Sequence, residues 1–196
     1  MSFLLFLSKA IDALNERVGA FVKWLILVAV IVCTANAIMR YAFNYSSNGF
    51  LEVQWYLYGA VFMLYGGLAL RRNQHVRIDL IAGRFSPRGQ AWLDLLGGLI
   101  FLLPVVLLML YDSWGMAALA IVSGEMSSDP GGLIRWPAKI LIPIGFLLLA
   151  LQGFSEVIKR AAFLMGLIDD PTPRSNPLDD VTDLQEAVKE IAAEKR

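Results

Sequence analysis

Residues 24–39 read WLILVAVIVCTANAIM, sixteen consecutive positions without an Asp, Glu, Lys or Arg. An α-helix rises 1.5 Å per residue, so this run spans roughly 24 Å of a hydrocarbon core about 30 Å thick. Flanking Lys and Arg side chains reach back to the interface and lengthen the effective span. Three further runs share the property: 53–70 (VQWYLYGAVFMLYGGLAL), 95–111 (LLGGLIFLLPVVLLMLY) and 140–155 (ILIPIGFLLLALQGFS). The run 113–124 is too short to cross alone and reads as the outer continuation of the third helix. Of the 196 residues 57% are hydrophobic and 17% charged. Soluble domains average about 45–50% apolar and roughly 25% charged. With a mean hydropathy of +0.59, the chain reads as an all-α integral membrane protein with four transmembrane helices.

Turn chemistry marks the helix ends. Ser86-Pro87 supplies an N-cap followed by proline at the first helical position, and Trp136-Pro137 opens the fourth helix in the same way. Pro104 and Pro143 lie inside spans, where a missing N–H and a steric clash bend a helix. The spans are expected at about 20–42, 50–72, 87–121 and 137–162. Ahead of the first, Leu4, Leu7, Ile11, Leu14, Val18, Phe21 and Leu25 recur at spacings of three and four among Lys9, Asp12, Asn15, Glu16 and Arg17. That pattern predicts an amphipathic N-terminal interfacial helix over 1–23. The transmembrane domain covers 24–168. Residues 169–196 form an acidic tail, with a proline-rich linker and a short helix bearing a narrow apolar stripe. The opening MSFLLFL has no basic segment and no A-x-A-like site after it, so no cleavable signal peptide is expected.

Formal net charge is zero, yet residues 1–168 carry 13 Lys/Arg against 9 Asp/Glu, and residues 169–196 carry 4 against 8. The basic groups stand at the ends of apolar runs rather than in a patch, which argues against nucleic acid. Ten Lys/Arg flank one side of the spans and three the other. The positive-inside rule then puts both termini and the second loop in the cytoplasm, N-in/C-in.

The stretch RRNQHVRIDL at 71–80 holds the single histidine. His75 and Asp79 would share a helix face, but two ligands do not complete a zinc site. Arg71 and Arg72 read as anchors of the second helix, and His75, Arg77 and Asp79 as a cytoplasmic connector. No catalytic residue, metal site or cofactor is expected. The lone Cys33 reads as a small buried packing residue. Carriers commonly place ionisable groups within the membrane; here every such group is expected at a span end. Thr34, Asn36, Gln54 and Gln152 suit helix–helix hydrogen bonds, and Gly59, Gly66, Gly67, Gly97 and Gly98 suit close helix approach. At the outer surface, Arg40, Asn44 and Glu52 join Glu125, Asp129, Arg135 and Lys139, which either pair with one another or meet a partner.

Arg40-Tyr41-x-Phe43-Asn44 ends the first span, Glu52 opens the second, and HVRID at 75–79 follows it. GEMSSDPGGLIRWPAK precedes the fourth span, which contains Pro143, Gly145 and Leu151-Gln152-Gly153. In this order the set resembles the small membrane subunit, DctQ-like, of tripartite ATP-independent periplasmic (TRAP) transporters, over about residues 10–165. The resemblance implies a non-catalytic subunit in the bacterial inner membrane. Its partners would be a large membrane subunit (DctM-like) and a periplasmic substrate-binding protein (DctP-like). The importer would draw on a sodium gradient to take up an organic acid. An anchoring subunit of another inner-membrane complex, or a small self-sufficient carrier, are the competing readings.

Overall fold

The computed structural model describes residues 2–45, 47–73 and 85–169. The expected connector residues His75, Arg77 and Asp79 and the expected tail helix lie outside the described residues. Four helices are long and apolar enough to cross a membrane: α1 (Ser2–Phe43), α2 (Asn48–Arg71), α3 (Pro87–Ser123) and α4 (Trp136–Leu164). The chain is a multi-pass, all-α membrane protein.

Helix α1 is one uninterrupted helix of 42 residues, about 63 Å at 1.5 Å per residue. Its buried positions Ser8, Ile11, Asn15, Gly19, Val22 and Ala29 recur at helical spacing along one stripe. Ser47 caps α2, its hydroxyl accepting from the Gly49 amide at 3.3 Å. Ser86 caps α3 in the same manner, accepting from Gly89, with Pro87 entering the first turn as the sequence predicts. Within α3 the segment Gly98–Leu102 is a π turn, immediately ahead of Pro104. Proline has no N–H to donate and crowds the carbonyl four residues back, so the ladder widens here rather than continuing in α register. The helix ends at Gly124, whose φ of +59 closes it in the left-handed conformation glycine tolerates.

Helix α4 is the hub. It packs against α1, α2 and α3, and α1 also packs along α2. Close approach comes from particular glycines. A Cβ at Gly145 would stand 2.7 Å from the Met63 carbonyl, one at Gly67 would collide with Asn15, and one at Gly19 with Leu68. A Cβ at Gly98 would touch Val157 at 3.2 Å. Gly59, Gly66 and Gly97, expected to serve the same purpose, face open space with nothing within 4 Å. Three of the five expected glycines are therefore on the wrong side of their helices. Cys33 is likewise exposed rather than buried. In an uncharged run, hydropathy does not reveal which face turns inward.

Candidate functional site

Two polar clusters stand at opposite ends of the bundle. At one end, Asn48, Glu52 and Tyr56 follow one another at spacing four and so form one stripe on the first turns of α2. All three grip the loop between α3 and α4. Asn48 donates to the Pro130 carbonyl at 3.0 Å, and Tyr56 to the Ile134 carbonyl at 3.0 Å. Glu52 is only 3% exposed. One of its carboxylate oxygens accepts from the Ser127 hydroxyl, and the other from the Leu133 amide at 2.5 Å. The loop itself folds back through a bridge between Met126 and Ile134. Gly132 lets it come so close, because a Cβ there would clash with Ser127 and lie 2.8 Å from Glu52.

Beside it, the Glu125 carboxylate is paired with Lys139 and lies 3.7 Å from Arg135. Arg135 also donates to the Ser128 hydroxyl at 3.4 Å, and its buried Nε has no partner among the described residues. Of the seven expected surface groups, Glu52, Glu125, Arg135 and Lys139 are gathered around this loop. Arg40, Asn44 and Asp129 stay exposed, Asn44 with a φ of +50 just past the end of α1.

The second cluster joins the first half of α1 to the far ends of α2 and α4. Gln152, fully buried, accepts from Asn15 Nδ2 at 2.8 Å and donates to Asp12 at 2.8 Å and Glu156 at 3.0 Å. Ser155 shares a hydrogen bond of 2.7 Å with Ser8 and donates to Asp12 at 2.9 Å. Lys159 sits 3.2 Å from Asp12 and 2.5 Å from Glu156. From α2, Arg71 and Arg72 each reach Glu16 at 2.5 Å, and Arg71 lies 3.8 Å from Asp12. The buried Arg160 pairs with the half-buried Asp94 at 3.1 Å and ties α4 to the start of α3.

Most of this second cluster escapes a reading of sequence. Arg71, Arg72 and Gln152 stand out as individual residues, but their partners Asp12, Asn15 and Glu16 look like the polar face of a surface helix. The spacing-four series Ser8, Asp12, Asn15/Glu16 was the available signal. Thr34 instead bonds back to the Val30 carbonyl of its own helix at 2.9 Å. The expectation that charges stand only at span ends also needs correction: Asp112 lies well inside α3 and is exposed.

Chemically, both clusters consume their charges in cross-helix contacts. Carboxylates meet cations and amides at short range, an arrangement that fixes helices in place and leaves the flanks apolar. Among the described residues no group of three His, Cys, Asp or Glu could hold a metal ion.

The family described as tripartite ATP-independent periplasmic transporters, DctQ component, matches residues 28–163. A Haemophilus influenzae protein with the provisional name TRAP transporter small permease protein is 28% identical over 136 residues, covering 69% of this chain and 80% of its own length. No solved structure matches the chain. The matched region runs from the middle of α1 almost to the end of α4 and so takes in all four spanning helices; the chain belongs to the DctQ family of TRAP transporter small permease subunits.

Proposed function

We propose that this subunit braces the transporter rather than carrying solute. It packs beside a large DctM-like membrane subunit in the bacterial inner membrane and enlarges that subunit's immobile scaffold. The large subunit moves an organic acid, received from a DctP-like periplasmic binding protein, on a sodium gradient. The observation that supports this most directly is that both polar clusters turn most of their groups on one another. Of their buried side-chain atoms only Asn15 Oδ1 and Arg135 Nε are left without a partner among the described residues. Glu52 and Gln152 spend their hydrogen bonds on holding helices and loop together, which suits a rigid block with an apolar exterior. The chain is accordingly non-enzymatic. The ten-to-three distribution of Lys and Arg supports an orientation with the Asp12 cluster cytoplasmic and the Glu52 cluster periplasmic.

Co-expression with the large subunit and reconstitution into liposomes tests the reading. The tagged small subunit is expected to retain the large one through purification, and sodium-driven uptake to require both. A large subunit that transports at full rate without this chain would overturn the bracing role. Labelling of a cysteine engineered at position 84 from the periplasmic side would overturn the orientation.

A further inference from the structure

Helix α3 is the least covered of the four: 11% of its most apolar window is buried, against 39% for α4. Between Asp94 and Glu125 it contains a single charged residue, Asp112. Among the described residues, no hydrogen bond or ion pair reaches the Asp112 side chain, and the residue is exposed. Its depth follows from the packing. Gly98 meets Val157, Gly153 meets Leu103, and Leu147 lines one cavity with Leu107 and Leu110. These pairings are antiparallel, so Asp112 lies level with about Pro143. That is roughly 10 Å inside the first residue of α4 and roughly 16 Å short of the end of α3.

Neither lipid nor water suits this surface. In hydrocarbon an unpaired carboxylate is costly. If water reached Asp112, the turns beyond it would be wetted too, and there Leu119 is 70% and Val122 87% exposed. A protein surface that is apolar with one embedded cation satisfies both. The neighbourhood is also shaped to receive a helix. Tyr111 and Trp114 stand proud, Gly115, one turn on from Tyr111, leaves a notch with nothing within 4 Å, and the cavity they line measures about 650 Å³.

We propose that the half of α3 around Asp112 seats a transmembrane helix of the large membrane subunit, with an Arg or Lys of that helix paired to Asp112 and its backbone drawn close at Gly115. The inference rests on the small-subunit reading above and names the contact that reading leaves open.

The test uses the co-expressed complex. A photoreactive benzoylphenylalanine replacing Tyr111, with Asp112 intact, is expected to yield an adduct at the combined mass of the two subunits. The cross-linked peptide should contain a basic residue within its membrane span. Asp112→Asn and Asp112→Leu are expected to lower recovery of the large subunit about tenfold, as loss of a buried charge partner would. Asp112→Lys should regain recovery when that basic residue is changed to Glu. Adducts to lipid alone or to a second copy of this chain, in preparations where the complex still co-purifies, would overturn the seat and leave the subunit reading standing. Wild-type recovery with Asp112→Leu would do the same. Failure of the unaltered chain to retain the large subunit would remove the subunit reading itself, and the seat with it.

Discussion

Asn15 and Gln152, separated by 137 positions in the chain, meet at 2.8 Å with both side chains sealed from solvent. The contact joins α1 to α4 at the point where the hydrophobic stripe of α1 turns polar. Its surroundings are crowded with acceptors: Asp12, Glu156 and the Ile11 carbonyl. The Gln152 amide both donates and accepts there, its Nε2 giving two hydrogen bonds and its Oε1 receiving one.

Gln152→Leu keeps the volume but removes both functions. Asp12 and Glu156 each lose a donor, and Asn15 loses its acceptor on α4. The expected cost is about 1–3 kcal/mol, the usual penalty for buried polar groups left without partners. Unfolding of the purified subunit in detergent measures it. A variant as stable as the parent would show the hydrogen bonds to be incidental to helix docking.

Glycine substitutions should separate into two groups that sequence alone does not distinguish. Gly145→Ala would drive a methyl group against the Met63 backbone of α2 and is expected to lose about 1–3 kcal/mol through overpacking. Gly66→Ala, on open space, should be neutral or gain up to about 1 kcal/mol from better helix propensity. Melting curves of the two variants side by side give the comparison; equal effects would contradict the packing of α2 on α4.

At the other end of the bundle, Glu52→Ala removes the acceptor for Ser127 and for the Leu133 amide. Hydrogen exchange at Ser127–Leu133 is expected to accelerate about tenfold or more, corresponding to loss of roughly 1.4 kcal/mol of local stability. Glu52→Gln retains one carbonyl acceptor and should fall between the two. Unchanged exchange in the alanine variant would mean that the Asn48 and Tyr56 contacts suffice to hold the loop.

The number of spans and the ends of the helices are legible in the sequence because they depend on local chemistry. Charge-free runs, Ser86-Pro87 and Trp136-Pro137 each act over a few residues. Facing is another matter. Which side of an uncharged helix turns inward depends on neighbours on other helices, far away in the chain, so Cys33, Gly59, Gly66 and Gly97 read as buried or packed when they are not. The loop cluster around Glu52 is half legible: its charged residues stand out as a group, while the contacts to Ser127 and the Leu133 amide depend on how the loop folds. Asp112 hides for a different reason. It ends one apolar run and begins another, so it reads as a boundary, although α3 passes through it unbroken.

The π turn at Gly98–Leu102 gives α3 an angular offset. One extra residue in a helical turn amounts to a rotation of about 100° for everything that follows, since 3.6 residues complete a circle. The part of α3 that carries Asp94 is thereby aimed at Arg160, and the part that carries Asp112 is aimed elsewhere. Deleting Gly98 from this turn would restore an ordinary helix, keep every hydrophobic side chain, and point the two carboxylates in a new relative direction. A single backbone irregularity thus turns two carboxylates on one membrane crossing to different sides, one toward Arg160 and one away from the bundle.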